Sequence, residues 1–237
     1  MSVVAVNNAM PCGLYGKLPT KRDFIAAGAP RQFLGVWEPW LQGSVSASRV
    51  TLGDGWQAAF LTAPIWRFWL GSEICGVDVI GAFMPSLDGV GRYFPLTLFA
   101  CADPQARIPP PELDAQEGWF KSAEALLMSA LDHDRTFEAV MADLGDLPAP
   151  VFVAQPEPHD GLLGDPETAA SEPDFSAAFA TLRKDGHDGL YDSATFWWTL
   201  GGEDFAPMAL GRKRMPDPYL FSTMLTGKFP QLDAEAG

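Results

Sequence analysis

The 237 residues carry 30 Asp and Glu against 16 Lys and Arg, a net charge of −14, with 47% hydrophobic residues and eight tryptophans. That apolar content can bury the core of one domain and excludes a chain that is disordered throughout. The acidic balance opposes binding to nucleic acid or to an anionic membrane surface. The excess is local: residues 101–210 hold twenty-one acids and five bases, and the stretches on either side each sum to +1. A solvated acidic face is the plain reading, and docking to a basic protein surface is the functional one.

No run of eighteen apolar residues occurs, so no membrane insertion is expected. The first eleven residues lack a basic start and a long apolar stretch, so no secretory signal is expected. Cys12, Cys75 and Cys101 are odd in number and widely spaced, which suits reduced thiols and a cytoplasmic location. The expected organisation is a flexible leader (1–11), a single α/β domain (12–228) and a tail (229–237).

Taken in order, residues 12–18 (CGLYGKL) predict a short strand, and 19–24 (PTKRDF) a turn. Lys17, Lys21, Arg22 and Asp23 fall within seven residues there. Residues 31–48 set Phe33, Trp37, Trp40 and Leu41 at helical spacing, with Pro39 predicting a break, a kink or two short helices meeting. Residues 56–62 predict a short helix. Residues 65–70 (IWRFWL) predict a strand with Trp66, Phe68 and Leu70 on one face and Ile65, Arg67 and Trp69 on the other. Arg67 thus stands among apolar residues, either stacked on a tryptophan or clamped by a carboxylate, for which Asp23, Asp78 and Asp88 are candidates.

Residues 75–83 and 93–100 are apolar, strand-like runs around a polar turn, 84–95 (MPSLDGVGRYFP). Pro95 predicts an edge strand or a strand that starts just after it. A proline-rich connector (103–111) leads to two helices, 111–131 and 136–144, the second closed by Gly145. A short strand at 151–154 precedes an acidic, Pro/Gly-rich loop at 155–173 that is expected to be mobile. A short helix (175–182), a turn cluster (185–191), a buried strand (193–200) and a proline-started helix (216–226) complete the reading. Strands separated by helices predict a layered α/β domain.

The chemistry-bearing residues form no familiar catalytic pattern. Ser86 sits in P-S-L-D-G rather than G-x-S-x-G, and His133, His159 and His187 lie in polar segments far from it in sequence. The alternative functions are a hydrolase or phosphatase centred on Ser86 and Asp88, or an assembly factor docking through the acidic middle segment. Cys75, read as part of an apolar strand, is expected to be an inert core thiol. No metal-ligand spacing and no complete phosphate loop occur, so neither a metal nor a cofactor is expected. What remains is Lys17, Arg22, Asp23, Arg67, Asp88 and Arg92. These predict either an internal ion-pair network pinning two turns or a groove for an acidic group, with three segments meeting at one end of the sheet.

Four segments together resemble the TagF family of type VI secretion system-associated proteins, also called ImpM. They are GLYGKLPTKRDF (13–24), PIWRFWL (64–70), MPSLDGVGRYFP (84–95) and the WWTLG that ends at Gly201. Arg22 departs from the family's usual glycine before Asp23, and Gly89 stands where a basic residue is common. The resemblance implies a three-layer α/β sandwich with a mixed central sheet and helices on both faces. It also implies a non-enzymatic cytoplasmic regulator, a post-translational repressor of type VI secretion that acts by protein–protein binding, with a forkhead-associated scaffold component as the expected partner. Lys17, Asp23, Arg67, Ser86, Asp88, Arg92, Trp197 and Trp198 are the residues it marks, for partner binding or for bracing the fold.

Overall fold

Residues 12–154 and 191–228 are described by the computed structural model, and side-chain alternation along their strands decides the architecture. In chain order they form β1 (Cys12–Gly16), β2 (Ile25–Ala27), α1 (Arg31–Leu52), α2 (Trp56–Thr62), β3 (Trp66–Leu70), α3 (Ser72–Cys75), β4 (Val79–Met84) and β5 (Leu96–Cys101). Then follow β6 (Ala106–Arg107), α4 (Glu117–Ser129), α5 (Phe137–Gly145), β7 (Val153–Ala154), β8 (Ala194–Thr199), β9 (Met208–Lys213) and α6 (Leu220–Thr226). The sequence-based expectations for 1–11, 155–173, 175–182, 185–190 and 229–237 lie outside the described residues.

Seven strands make one sheet in the order β2-β1-β5-β4-β3-β8-β9, and β6 pairs with β7 apart from it. Every pairing in the large sheet is antiparallel, which corrects the mixed sheet expected from the resemblance. The physical reason is connection length. The loops joining β3 to β4, β4 to β5 and β8 to β9 are too short for the crossover that parallel neighbours need.

Each face of the sheet carries its own core. Leu14, Ile80, Ala82, Leu96, Leu98 and Trp69 point toward α4 and α5, where Phe120, Leu127, Val140 and Leu144 meet them. Trp66, Phe68, Leu70, Val79, Phe83 and Phe99 point the other way, onto Trp37, Trp40 and Leu41 of α1, Phe60 of α2 and Phe221 of α6. The alternation expected in β3 therefore holds, and helices cover both faces. The second core is built of rings: Trp37 stacks on Phe68 at 4.3 Å and lies parallel to Trp197 at 5.8 Å. Its indole N–H groups are not left bare, with Trp37 donating to Thr97 Oγ1, Trp40 to the Pro216 carbonyl and Trp66 to the Met224 carbonyl.

Three expectations change. α1 runs unbroken through Pro39. Pro39 and Gly35, the residue whose carbonyl loses its helical donor, are both exposed, so water can satisfy that carbonyl while the buried face continues. α4 begins at Glu117 rather than at 111, because Gln116 takes a left-handed conformation, and Leu113 is left exposed. Cys75 closes the one-turn helix α3 instead of lying in a strand. It is buried all the same, and burial pushes its thiol up to about 12. β5 starts directly after Pro95 and is an inner strand, one of the two placements its proline allows. β2 and β9 are additions that the sequence reading lacked.

Candidate functional site

The turn between β4 and β5 is folded on one carboxylate. Asp88 Oδ1 accepts the backbone N–H groups of Val90 (3.1 Å) and Arg92 (2.9 Å), as a short acidic side chain does when it organises its own turn. Its backbone closes the same loop, with Asp88 N–H donating to the Arg92 carbonyl at 3.1 Å and Gly91 N–H to the Asp88 carbonyl at 2.9 Å. Gly91 has φ +84°, a conformation that glycine adopts without a steric cost. Leu87 bridges to Tyr93, and Phe94 N–H reaches the Ser86 carbonyl, so the turn continues the β4–β5 ladder.

The second carboxylate oxygen ties this turn to the segment after β1. Asp88 Oδ2 accepts Lys17 Nζ at 2.7 Å and Arg92 Nε at 2.6 Å. Three more bonds sew the two segments together: Ser86 Oγ to the Lys17 carbonyl (2.8 Å), Gly89 N–H to the Lys21 carbonyl (2.8 Å) and Arg92 Nη2 to the Arg22 carbonyl (2.6 Å). Asp88, Lys17 and Ser86 are all buried. Burial alone would raise the Asp88 pKa. The Lys17 ammonium, the two turn N–H groups and the Arg92 guanidinium outweigh it and hold the carboxyl well below the ordinary range.

On this buried knot sits an exposed rim. Arg92 is anchored through Nε, yet its side chain is 61% exposed. Val90 is 55% exposed and Phe24 50%, the latter resting against Phe94 at 4.8 Å and Tyr15 at 6.2 Å. Arg22 and Asp23 are exposed beside them, and neither side chain has a partner among the described residues. Asp23 therefore joins neither Arg67 nor the Asp88 knot, contrary to expectation. Both departures from the family pattern fit locally. Arg22 avoids positive φ, and a side chain at Gly89 would press on the Pro19 carbonyl, 3.0 Å from an added Cβ.

Arg67 belongs to a different place. None of Asp23, Asp78 and Asp88 is its partner. Its guanidinium lies on the α4 face of β3, with Nε 2.5 Å from Glu124 Oε1, Nη1 2.8 Å from Glu117 Oε1, and the Phe120 ring 4.7 Å away. The meeting of three segments at one end of the sheet is thus a meeting of two, and Arg67 pins α4 instead. Glu117 and Glu124 were missed by the sequence reading. Their seven-residue separation, two turns of helix on the face that carries Phe120, was the available signal. Asp78 makes another network, with Arg107 Nε at 2.7 Å and the Ile108 N–H at 3.0 Å, and Arg107 goes on to Asp192 at 2.6 Å. Trp197 is fully buried in the aromatic core, and Trp198, on the opposite face, packs edge-on against Phe120 at 5.0 Å.

Chemically, the Ser86 hydroxyl gives its proton to a backbone carbonyl, and the Asp88 carboxylate has four donors already. His133 is exposed on the connection between α4 and α5, and His159 and His187 lie outside the described residues. Among the described residues no three His, Cys, Asp or Glu side chains are grouped to hold a metal, and no helix is long and apolar enough to cross a membrane.

Comparison with known proteins bears on what such a braced turn belongs to. The family model described as TagF N-terminal domain, type VI secretion system-associated, matches residues 13–147, which contain both halves of the knot and the Arg67 clamp. A solved structure, that of PA0076 from Pseudomonas aeruginosa PAO1, is similar over 95% of this chain and 99% of its own, at 32% identity and a TM-score of 0.76. Among curated proteins there is no match. The motif-bearing segments, the sheet that joins them and the extent of these matches agree: the chain belongs to the TagF family of type VI secretion system-associated proteins.

Proposed function

We propose that this protein is a cytoplasmic, post-translational repressor of type VI secretion that works by binding rather than by catalysis, with a forkhead-associated scaffold of the apparatus as its partner. The observation that carries the reading is the exposed rim on a buried, fully bonded knot. Arg22 and Phe24, from the segment after β1, and Val90 and Arg92, from the β4–β5 turn, are presented over the Asp88 carboxylate, whose two oxygens take four donors. A rigid rim of this kind loses little conformational freedom on binding, and arginine and aromatic side chains are the types that dominate protein interfaces. Family membership supplies the system, and the rim supplies the contact.

Arg22→Glu and Val90→Asp test this cleanly, because both change exposed side chains and leave the Asp88 knot intact. Each variant is expected to keep the wild-type melting temperature, to lose the partner in pull-downs from the host and to release secretion. Folded variants that retain the partner and full repression would remove the rim as the contact. The enzymatic alternative has a separate test. Ser86→Ala is expected to leave repression unchanged, and the wild-type protein to turn over nothing in a panel of esters and phosphoesters. Turnover that Ser86→Ala abolishes would restore the hydrolase reading.

A further inference from the structure

β9 is the last strand of the sheet, and among the described residues its outer edge pairs with nothing. Edge strands are usually blunted along their length by charge, proline or a bulge. The Met208-Ala209-Leu210-Gly211 stretch of β9 has none of these. Beside it lies an open groove of about 390 Å³. Its floor is the α4 face of the last two strands, where Phe196 is in register with Gly211 and Trp198 with Ala209. Its far wall is Pro111, Glu112 and Ala115, from the segment that leads into α4. Small residues on β9 leave the rings of Phe196 and Trp198 reachable from the edge.

The charge at one end of this edge is the opposite of the protein's. Arg212, Lys213 and Arg214 follow one another and are all exposed. Arg212 Nη1 reaches only a backbone carbonyl, and no carboxylate pairs with any of the three among the described residues. Arg214 has φ +69° and donates its N–H to the Ser193 carbonyl, which turns the chain off the strand and leaves the three cations at its end.

We propose that β9 is a second docking site, independent of the rim, that takes an extended acidic segment of another protein by strand addition. Backbone hydrogen bonds to β9 would supply affinity, alternate apolar side chains would enter the groove, and carboxylates would meet Arg212, Lys213 and Arg214. Glu112 on the groove wall disfavours carboxylates in the groove itself, so those of the segment are left to the cations at the strand end. A second copy of this chain is a poorer occupant, because two β9 strands side by side bring three cations each and no counter-charge.

The test uses the full chain and a ten-residue peptide alternating valine and glutamate. The peptide is expected to bind saturably and to slow hydrogen exchange at the alternate amides of 208–213 that face away from β8. The same peptide N-methylated at alternate residues, and a valine–lysine counterpart, are expected not to bind. Arg212→Glu combined with Lys213→Glu should weaken binding by about tenfold or more, and Ala209→Glu, which places a second carboxylate at an exposed groove position, should weaken it comparably. Equal binding of the N-methylated peptide would overturn strand addition. So would protection, in the free chain, of the alternate β9 amides that face away from β8, which would mean that residues 155–190 or a second copy occupy the edge. Sedimentation of the free chain tells those two apart.

Discussion

Glu117→Gln combined with Glu124→Gln is expected to lower the stability of the protein by about 3–5 kcal/mol in urea unfolding, well beyond the loss caused by Arg67→Met. The asymmetry follows from burial. Arg67 is 1% exposed, whereas Glu124 is 22% and Glu117 50% exposed. Burial works against the guanidinium charge, but hydrogen bonding and attraction to Glu124 and Glu117 outweigh it, so Arg67 stays ionised. With both carboxylates neutralised, a full charge is left under α4 without a counter-ion, the costliest arrangement an interior can hold. With methionine in its place, the carboxylates can turn outward to water, and an apolar side chain lies against Phe120. Arg67→Met with Glu124→Leu should recover most of the wild-type stability, since an apolar pair of similar volume often replaces a buried ion pair without loss. An Arg67→Met variant as unstable as the double glutamine variant would show that the arginine's packing, not its pairing, holds α4.

The extent to which this fold was legible in the sequence depended on the range of the interaction. β3 was readable because its alternation of Trp66, Phe68 and Leu70 against Ile65, Arg67 and Trp69 is local, and the two cores separate accordingly. Lys17 and Asp88 could be grouped from their turn chemistry, and the structure joins them directly. Which carboxylate Arg67 would choose was not readable. Asp23, Asp78 and Asp88 were the candidates, but the partner was fixed by where α4 crosses the sheet, which no local pattern encodes. Pro39 misled for the opposite reason: a local rule predicted a break, and a continuous buried face from Phe33 to Ser48 overrode it. β9 escaped notice because Met208–Lys213 lacks the alternation and β-branched residues that mark a strand. Its pairing with β8 gives it that state.

Asp88→Asn is the substitution that separates the brace from the rim. Asparagine keeps an acceptor for the Val90 and Arg92 backbone N–H groups, but it presents an NH₂ to Lys17 and to Arg92 Nε, so two cations lose their counter-charge. Because Lys17 is buried, the expected loss at pH 7 is about 3 kcal/mol or more by urea unfolding. The acid limb should change with it. The folded-state pKa of Asp88 lies below its ordinary value of 3.8, so the unfolded chain takes up this proton first as pH falls. The stabilisation is therefore fully present above about pH 4 and is lost as pH drops below 3.8 toward the folded-state value. Wild-type protein should show that decline, and the asparagine variant, with nothing to titrate there, should lack this component of it. Lys17→Met added to Asp88→Asn should restore part of the loss by removing the stranded buried ammonium. If Asp88 only organised its own turn, Asp88→Asn would cost about 1 kcal/mol, and Lys17→Met would bring no recovery. The brace reading also sets an order for function. A partly rescued Lys17→Met/Asp88→Asn protein keeps Arg22, Val90 and Arg92 on the surface but has lost the salt bridge that fixes Arg92 Nε. It should still bind the partner of the rim, more weakly than wild type, whereas Arg22→Glu leaves the knot and the melting temperature unchanged and removes binding.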